Sequence, residues 1–205
     1  MVNFIDKDSC YIDEEVIIGD NCTIYPNVII EGKTIIGNNT IIMHGSYIKD
    51  SVIGNNNNIK SSYIVNSILG DNNEVGPYAN IHTNNKIGNN NRIGNFIELK
   101  DNIIGNGNKI THLSYLGNST LENDIHFGCG AITVNKKFKS EKNQREKVLI
   151  KSNAFIGCNV NLVAPITVGN YGFVAAGSTI THDVKNNSLV IDRNKEVVIE
   201  NYYND

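Results

Sequence analysis

The sequence predicts an all-β protein wound as a parallel β-helix of hexapeptide repeats. Three observations carry that expectation. An apolar residue recurs at every sixth position, a small or β-branched residue follows it four places later, and Ile, Asn and Gly dominate the composition. Ile suits a pleated surface, while Asn and Gly accept the dihedrals of tight turns.

Stepping by six from Ile18 gives Ile24, Ile30, Ile36, Ile42 and Ile48 without a miss. After one-residue slips the frame continues through Ile53, Ile59, Ile64 and Leu69. It then runs through Val75, Ile81, Ile87, Ile93, Leu99, Ile104, Ile110 and Leu116. It returns as Ile150, Ile156, Leu162, Val168, Val174 and Ile180. A period of six matches neither a 3.6-residue helix nor plain strand alternation, but it fits a short strand plus a turn around a triangular coil. The position four residues on holds Cys22, Val28, Thr34, Thr40, Ser46, Val160 and Ser178, which should also point inwards. Three hexads close a coil, so about six to nine coils are expected. The runs Asn55 to Asn58 and Asn89 to Asn91 read as corner residues.

Between Thr133 and Lys147 the hexads stop and charge accumulates, which reads as a loop protruding over about 134–147. The repeat ends after Val184. The expected organisation is therefore a β-helix domain over 1–184 and a polar tail over 185–205.

Composition narrows the function classes. A net charge of −3 over 205 residues provides no general nucleic-acid-binding surface. No apolar run approaches the roughly 20 residues of a membrane span, and the N-terminal residues lack a signal-peptide core. Cys10, Cys22, Cys129 and Cys158 form no CxxC pair and no metal spacing, so a reduced, cytoplasmic protein without a metal is expected.

Four segments then become specific: Gly94-Asn-Phe-Ile-Glu-Leu-Lys100, Thr111-His-Leu-Ser-Tyr-Leu-Gly117, Asn161-Leu-Val-Ala-Pro165 and Ala175-Ala-Gly-Ser-Thr179. Together they resemble the acetyltransferase half of the bacterial bifunctional N-acetylglucosamine-1-phosphate uridyltransferase/glucosamine-1-phosphate acetyltransferases. The likeness runs from about Asp6 to Arg193 and belongs to the wider hexapeptide-repeat acyltransferases. Parallel crossovers are usually right-handed, but the resemblance implies a single-stranded left-handed β-helix. No Gly-rich signature of the nucleotidyl-transfer half occurs in these residues, so uridyltransferase activity is not expected of them.

The resemblance implies an acetyl-CoA-dependent N-acetyltransferase acting on an amino-sugar phosphate, with glucosamine 1-phosphate as first acceptor. It casts His112 as the general base, a task that suits an imidazole near neutral pH. Lys100 and Tyr115 match residues that hold the phosphosugar, and lysine offers phosphate a compact charge with three donors. Asn135 and Ala176 match positions lining the acetyl-CoA site, and Arg193 matches a basic residue near that co-substrate. His82 stands where the family has a phosphate-gripping arginine, and His126 where it has an asparagine at the sugar. Cys129 and Cys158 replace an Ala and a Ser beside the cofactor. Both cysteines sit beside glycines in hexad frames, so small-residue packing and direct transfer are expected, not a thiol-bound acetyl intermediate. A homotrimer is implied, because family active sites form between neighbouring β-helices. Two other readings stay open: an acyltransferase for a different amino sugar or nucleotide sugar, and a non-catalytic binding or scaffold subunit.

Overall fold

Alternation of one inward Ile and one inward small residue leaves no room for a helix, and the described residues form none. A computed structural model describes residues 1–136 and 145–200, in which all 28 strands pair in parallel. Residues 137–144 of the expected loop and 201–205 of the expected tail lie outside the described residues.

Successive strands lie on three faces of a triangular prism. Face 3 is a separate nine-stranded sheet, whereas faces 1 and 2 merge into one sheet of 19 strands. They merge because Arg92–Lys100 and Lys109–Gly117, each nine residues long, run unbroken around the edge between them. The result is a parallel β-solenoid of about ten turns, consistent with the left-handed winding expected.

That exceeds the six to nine coils expected, because the slips in the repeat are shortened corners and not interruptions. The register step falls from 18 residues (Thr23↔Ile41) to 17 (Ile41↔Asn58) and 16 (Asn58↔Glu74) while the ladder continues. One further strand, Leu189–Val190, lies on Phe173–Val174 beyond the end of the repeat at Val184.

The core is one column per face. From Ile24 to Ile180 every residue of the six-step series is buried, and Ile18 alone is only partly covered, at the open first coil. Cys22, Val28, Thr34, Thr40, Ser46, Val160 and Ser178 are buried with them. Each coil therefore covers the apolar column of the next, and the burial is continuous along the axis.

The asparagine runs divide their labour. Asn56 and Asn90 take the left-handed corner conformation (φ 57° and 58°), as expected. Asn57 and Asn91 instead turn inwards and are buried, with Asn73 and Asn108 in the same column. Asn91 Oδ1 accepts from the Asn108 amide at 2.9 Å, and its Nδ2 donates to the Gly105 carbonyl at 2.9 Å. Side-chain amides thus satisfy backbone groups that a buried corner would otherwise leave unpaired.

The loop enters between faces 2 and 3. Tyr115 pairs with Ile132 at the usual 17-residue step, but Ile132 pairs with Asn161, a step of 29. The insertion leaves the ladder intact on both sides.

Candidate active site

Parallel register stacks equivalent corner residues of successive coils. At the edge between faces 1 and 2 this column reads Asn95, His112, Cys129, Cys158 and Ala176, fixed by flanking pairs on both faces. His112 is exposed, and its Nδ1 lies 2.7 Å from Asn95 Oδ1 one coil away. With the carboxamide oxygen as acceptor, Nδ1 carries the proton and Nε2 keeps its lone pair. That tautomer leaves Nε2 to serve as a base.

The recess beside His112 is only about 170 Å³, lined by Lys60, Glu74, Arg92, Asn95 and Thr111 among others. A pocket that encloses a small ligand spans roughly 300–1,000 Å³, so one chain leaves this edge open. The same edge holds Tyr78, Phe96 and Leu113 at φ of 60°, 56° and 50°, all exposed. Bulky residues rarely adopt left-handed backbone, at a cost of about 1–3 kcal/mol each, and such strain clusters at functional sites.

Further along, Cys129 is half-buried, and Cys158 and Ala176 are exposed. Ala175, not Ala176, is the interior small residue. A Cβ on Gly177 would lie 3.7 Å from Arg193 Cδ, which brings the Arg193 stem to the end of the same edge. His126 sits just round the corner on face 1, in register with Lys109 and Phe155. Its ring stacks on Phe155 at 4.5 Å, and Phe155 stacks on Phe173 at 4.7 Å. Burial, with the Lys109 charge adding to it, pushes the His126 imidazole below its usual 6.5.

A second cluster occupies the far side of face 2. His82, Lys100 and Gly117 are in register, as are Glu98 and Tyr115 two positions before them. The Tyr115 hydroxyl lies over Gly117, where any Cβ would run into it and into Asn135 Nδ2. Arg145 Nη1 donates to that hydroxyl at 3.5 Å. Lys100, Asp101, Asn118 and Arg145 line one hollow, a pair of cations suited to an anion. Asn135 is buried, and its Nδ2 has no partner among the described residues. His82 Nε2 meets Glu98 Oε1 at 3.2 Å.

The structure thus gathers His112, Cys129, Cys158, Ala176 and Arg193 on one edge, with His126 beside it. It gathers His82, Lys100, Tyr115 and Asn135 across face 2. Asn135, expected with the co-substrate residues, stands beside Tyr115 over Gly117. Sequence reasoning passed over Asn95 as the partner of His112, although a step of one 17-residue coil would have found it. It also missed Arg145, which lies 30 positions after Tyr115 in the sequence but beside it in space.

Comparison with known proteins agrees with this architecture. A family model described as the GMPPB C-terminal domain matches residues 5–76. The bifunctional protein GlmU of Geobacillus sp. (strain WCH70) is 46% identical over 201 residues, which is 98% of this chain and 43% of the relative. The protein of the same name from Clostridioides difficile (strain 630) is 44% identical over the same shares. Over nearly its whole length the chain is similar to the C-terminal, hexapeptide-repeat part of GlmU proteins. It spans less than half the length of these curated relatives. Among solved structures, the GlmU-like chain resembles a UDP-N-acetylglucosamine acyltransferase from Francisella novicida. The TM-score is 0.62 at 20% identity, over 93% of this chain and 66% of that one. A UDP-N-acetylglucosamine acyltransferase from Campylobacter jejuni gives a TM-score of 0.63 at 21% identity, over 75% and 65%. At these identities the two structures speak for the fold of the GlmU-like domain alone. No helix among its described residues is long and apolar enough to cross a membrane.

Proposed function

We propose that this chain transfers the acetyl group of acetyl-CoA to the amine of an amino-sugar phosphate, with glucosamine 1-phosphate as first-choice acceptor. The single observation that carries the reading is the His112–Asn95 pair, which holds an exposed imidazole with Nε2 free to act as base. In this reading the β-helix over 1–184 carries the chemistry, assisted by the 134–147 loop and the 185–205 tail.

The amine attacks the thioester carbonyl, and Nε2 of His112 takes the proton shed as the N–C bond forms. Asn95 fixes the tautomer and steadies the imidazolium through its oxygen. CoA leaves as the thiol. Lys100 and Arg145 hold the phosphate, and Tyr115 braces the sugar beside them. Acetyl-CoA lies along the edge formed by Cys129, Cys158 and Ala176, with Arg193 near its phosphates. His126 faces the sugar from the flat of face 1. The complete site arises between copies in a homotrimer, since His112 and Lys100 border opposite sides of face 2.

A different amino sugar or nucleotide sugar is the second reading, and the His82–Glu98 pair favours it. A carboxylate already occupies the imidazole, so His82 offers no free cationic fork to a sugar phosphate.

The test is thiol release from acetyl-CoA with glucosamine 1-phosphate, beside His112→Ala and a control without acceptor. Acceptor-dependent release that disappears in the variant is expected, typically a loss of about 10²–10⁴-fold for a general base. Equal rates in the two proteins would remove His112 from the mechanism. No release from folded wild type would exclude this acceptor and turn attention to the second reading.

A further inference from the structure

Four cysteines occur in the chain, and two of them stack in register. Cys129 and Cys158 occupy the same corner position of successive coils. The step between them is 29 residues, equal to that of His126↔Phe155 on one side and Ile132↔Asn161 on the other. The Asn159 amide donates to the Cys129 carbonyl at 2.8 Å, which locks the two turns together. A Cβ on Gly128 would stand 2.5 Å from the Gly157 carbonyl carbon and 2.7 Å from the Cys158 nitrogen, so the two turns touch backbone to backbone. Side chains at this corner position do reach one another across a coil: Asn95 and His112, two steps back in the same column, approach to 2.7 Å.

Neighbouring strands lie about 4.8 Å apart, inside the roughly 4.4–6.8 Å between Cα atoms that a disulfide tolerates. Both thiols are free, Cys129 half-buried and Cys158 exposed, so a small reagent reaches the pair from solvent. Cys10 and Cys22 lack this arrangement. Cys10 lies near the first coil, and Cys22 is buried in the core with its thiol on the Gly37 carbonyl at 3.0 Å.

We propose that Cys129 and Cys158 form a reversible disulfide across two coils, and that this bond switches off the chemistry of the His112 edge. The oxidant is a low-molecular-weight disulfide. The Cys158 thiolate attacks one of its sulfurs, forming a mixed disulfide and releasing one thiolate. The Cys129 thiolate then attacks the Cys158 sulfur and releases the second. The two protons lost by the cysteines end on the two released thiols, and two electrons pass from the cysteine pair to the reagent. A dithiol reductant reverses both steps.

The consequence for activity rests on the proposed function. Cys129 is the next residue after His112 in the column, and Cys158 the next before Ala176. An acyl donor reaching His112 along this edge crosses the step between the two cysteines. The bridge draws both sulfurs together over that step and fixes the turns on which the donor would settle.

The experiment equilibrates the protein across a series of reduced-to-oxidised glutathione ratios, alkylates the remaining thiols and maps the peptides by mass. The expected product is one linked pair joining the Cys129 and Cys158 peptides, two hydrogens lighter than the reduced pair, with Cys22 still a thiol. Separate alkylation or separate glutathionylation of the two cysteines at every ratio overturns the disulfide. This map needs no turnover, so it stands or falls independently of the assigned reaction. The same samples are then assayed for acetyl transfer. Loss of activity that tracks the linked fraction and returns with dithiothreitol is expected. Cys158→Ser should show the same rate in oxidised and reduced buffer, whatever its absolute value. A fully linked wild type that turns over at the reduced rate overturns the switch while leaving the bond.

Discussion

His126 shows how the coils on either side set the charge of a single side chain on a flat sheet. Burial disfavours the charged ring, and Lys109 in the adjacent coil opposes a charge there. Burial, followed by that lysine, holds its pKa below 6.5. The unfolded chain therefore binds more protons than the folded one once pH falls through 6.5. Stability rises with pH in that window and is lost on acidification. The thermal midpoint of wild type should drop more steeply between neutral pH and mild acid than that of His126→Asn, which cannot titrate. Parallel curves would show that the ring does not feel its neighbours. Nothing in the sequence displayed this coupling, because Lys109, His126 and Phe155 become neighbours only through the coil register. The motif singled out His112, whereas the Asn95 contact that sets its tautomer needed the 17-residue step.

At the scale of the element, each corner must satisfy its backbone groups, and two asparagine ladders do so in different surroundings, one buried and one exposed. Asn91 belongs to the buried ladder, while Asn89 accepts the Asp71 amide at 2.7 Å on the exposed corner. Replacing Asn91 with Leu keeps the volume but orphans the Asn108 amide and the Gly105 carbonyl, at about 1–3 kcal/mol for each buried group. Replacing Asn89 with Ala lets water take the vacated place and should cost well under about 1 kcal/mol. Urea unfolding separates the two: the Asn91→Leu midpoint should fall clearly below that of Asn89→Ala. Equal midpoints would mean that the buried amides contribute no more than the exposed ones. The hexads made the strands readable, since Ile at every sixth position has one place to go. The inward asparagines were readable from the same repeat, since Asn57 and Asn91 stand four places after Ile53 and Ile87, but a polar amide inside a run of corner residues disguised them.

At the scale of the whole molecule, the prism keeps the proposed base and the proposed phosphate-binding cations apart. Gly117, in register with Lys100, lies five residues along the strand from His112, a path of roughly 16 Å at about 3.3 Å per residue. Outward side chains of a flat face stand nearly parallel, so a base at one edge and cations at the far side do not converge within one chain. The stacked coils cannot bend to close the gap, since each ladder is pinned by its neighbours above and below. A second copy that sets its His112 edge against the Lys100–Arg145 hollow would close it, and three such heterologous contacts close a ring. Complementation tests this directly. His112→Ala and Lys100→Ala should each lose acetyl transfer, and their co-expression should restore a substantial fraction, because hybrid trimers pair an intact base edge with an intact cation hollow. Differential tags would confirm that hybrids formed. Verified hybrids with no more activity than the two variants separately would mean that base and phosphate site work within one chain. The donor edge would then have to reach across face 2 by a movement that the paired coils oppose.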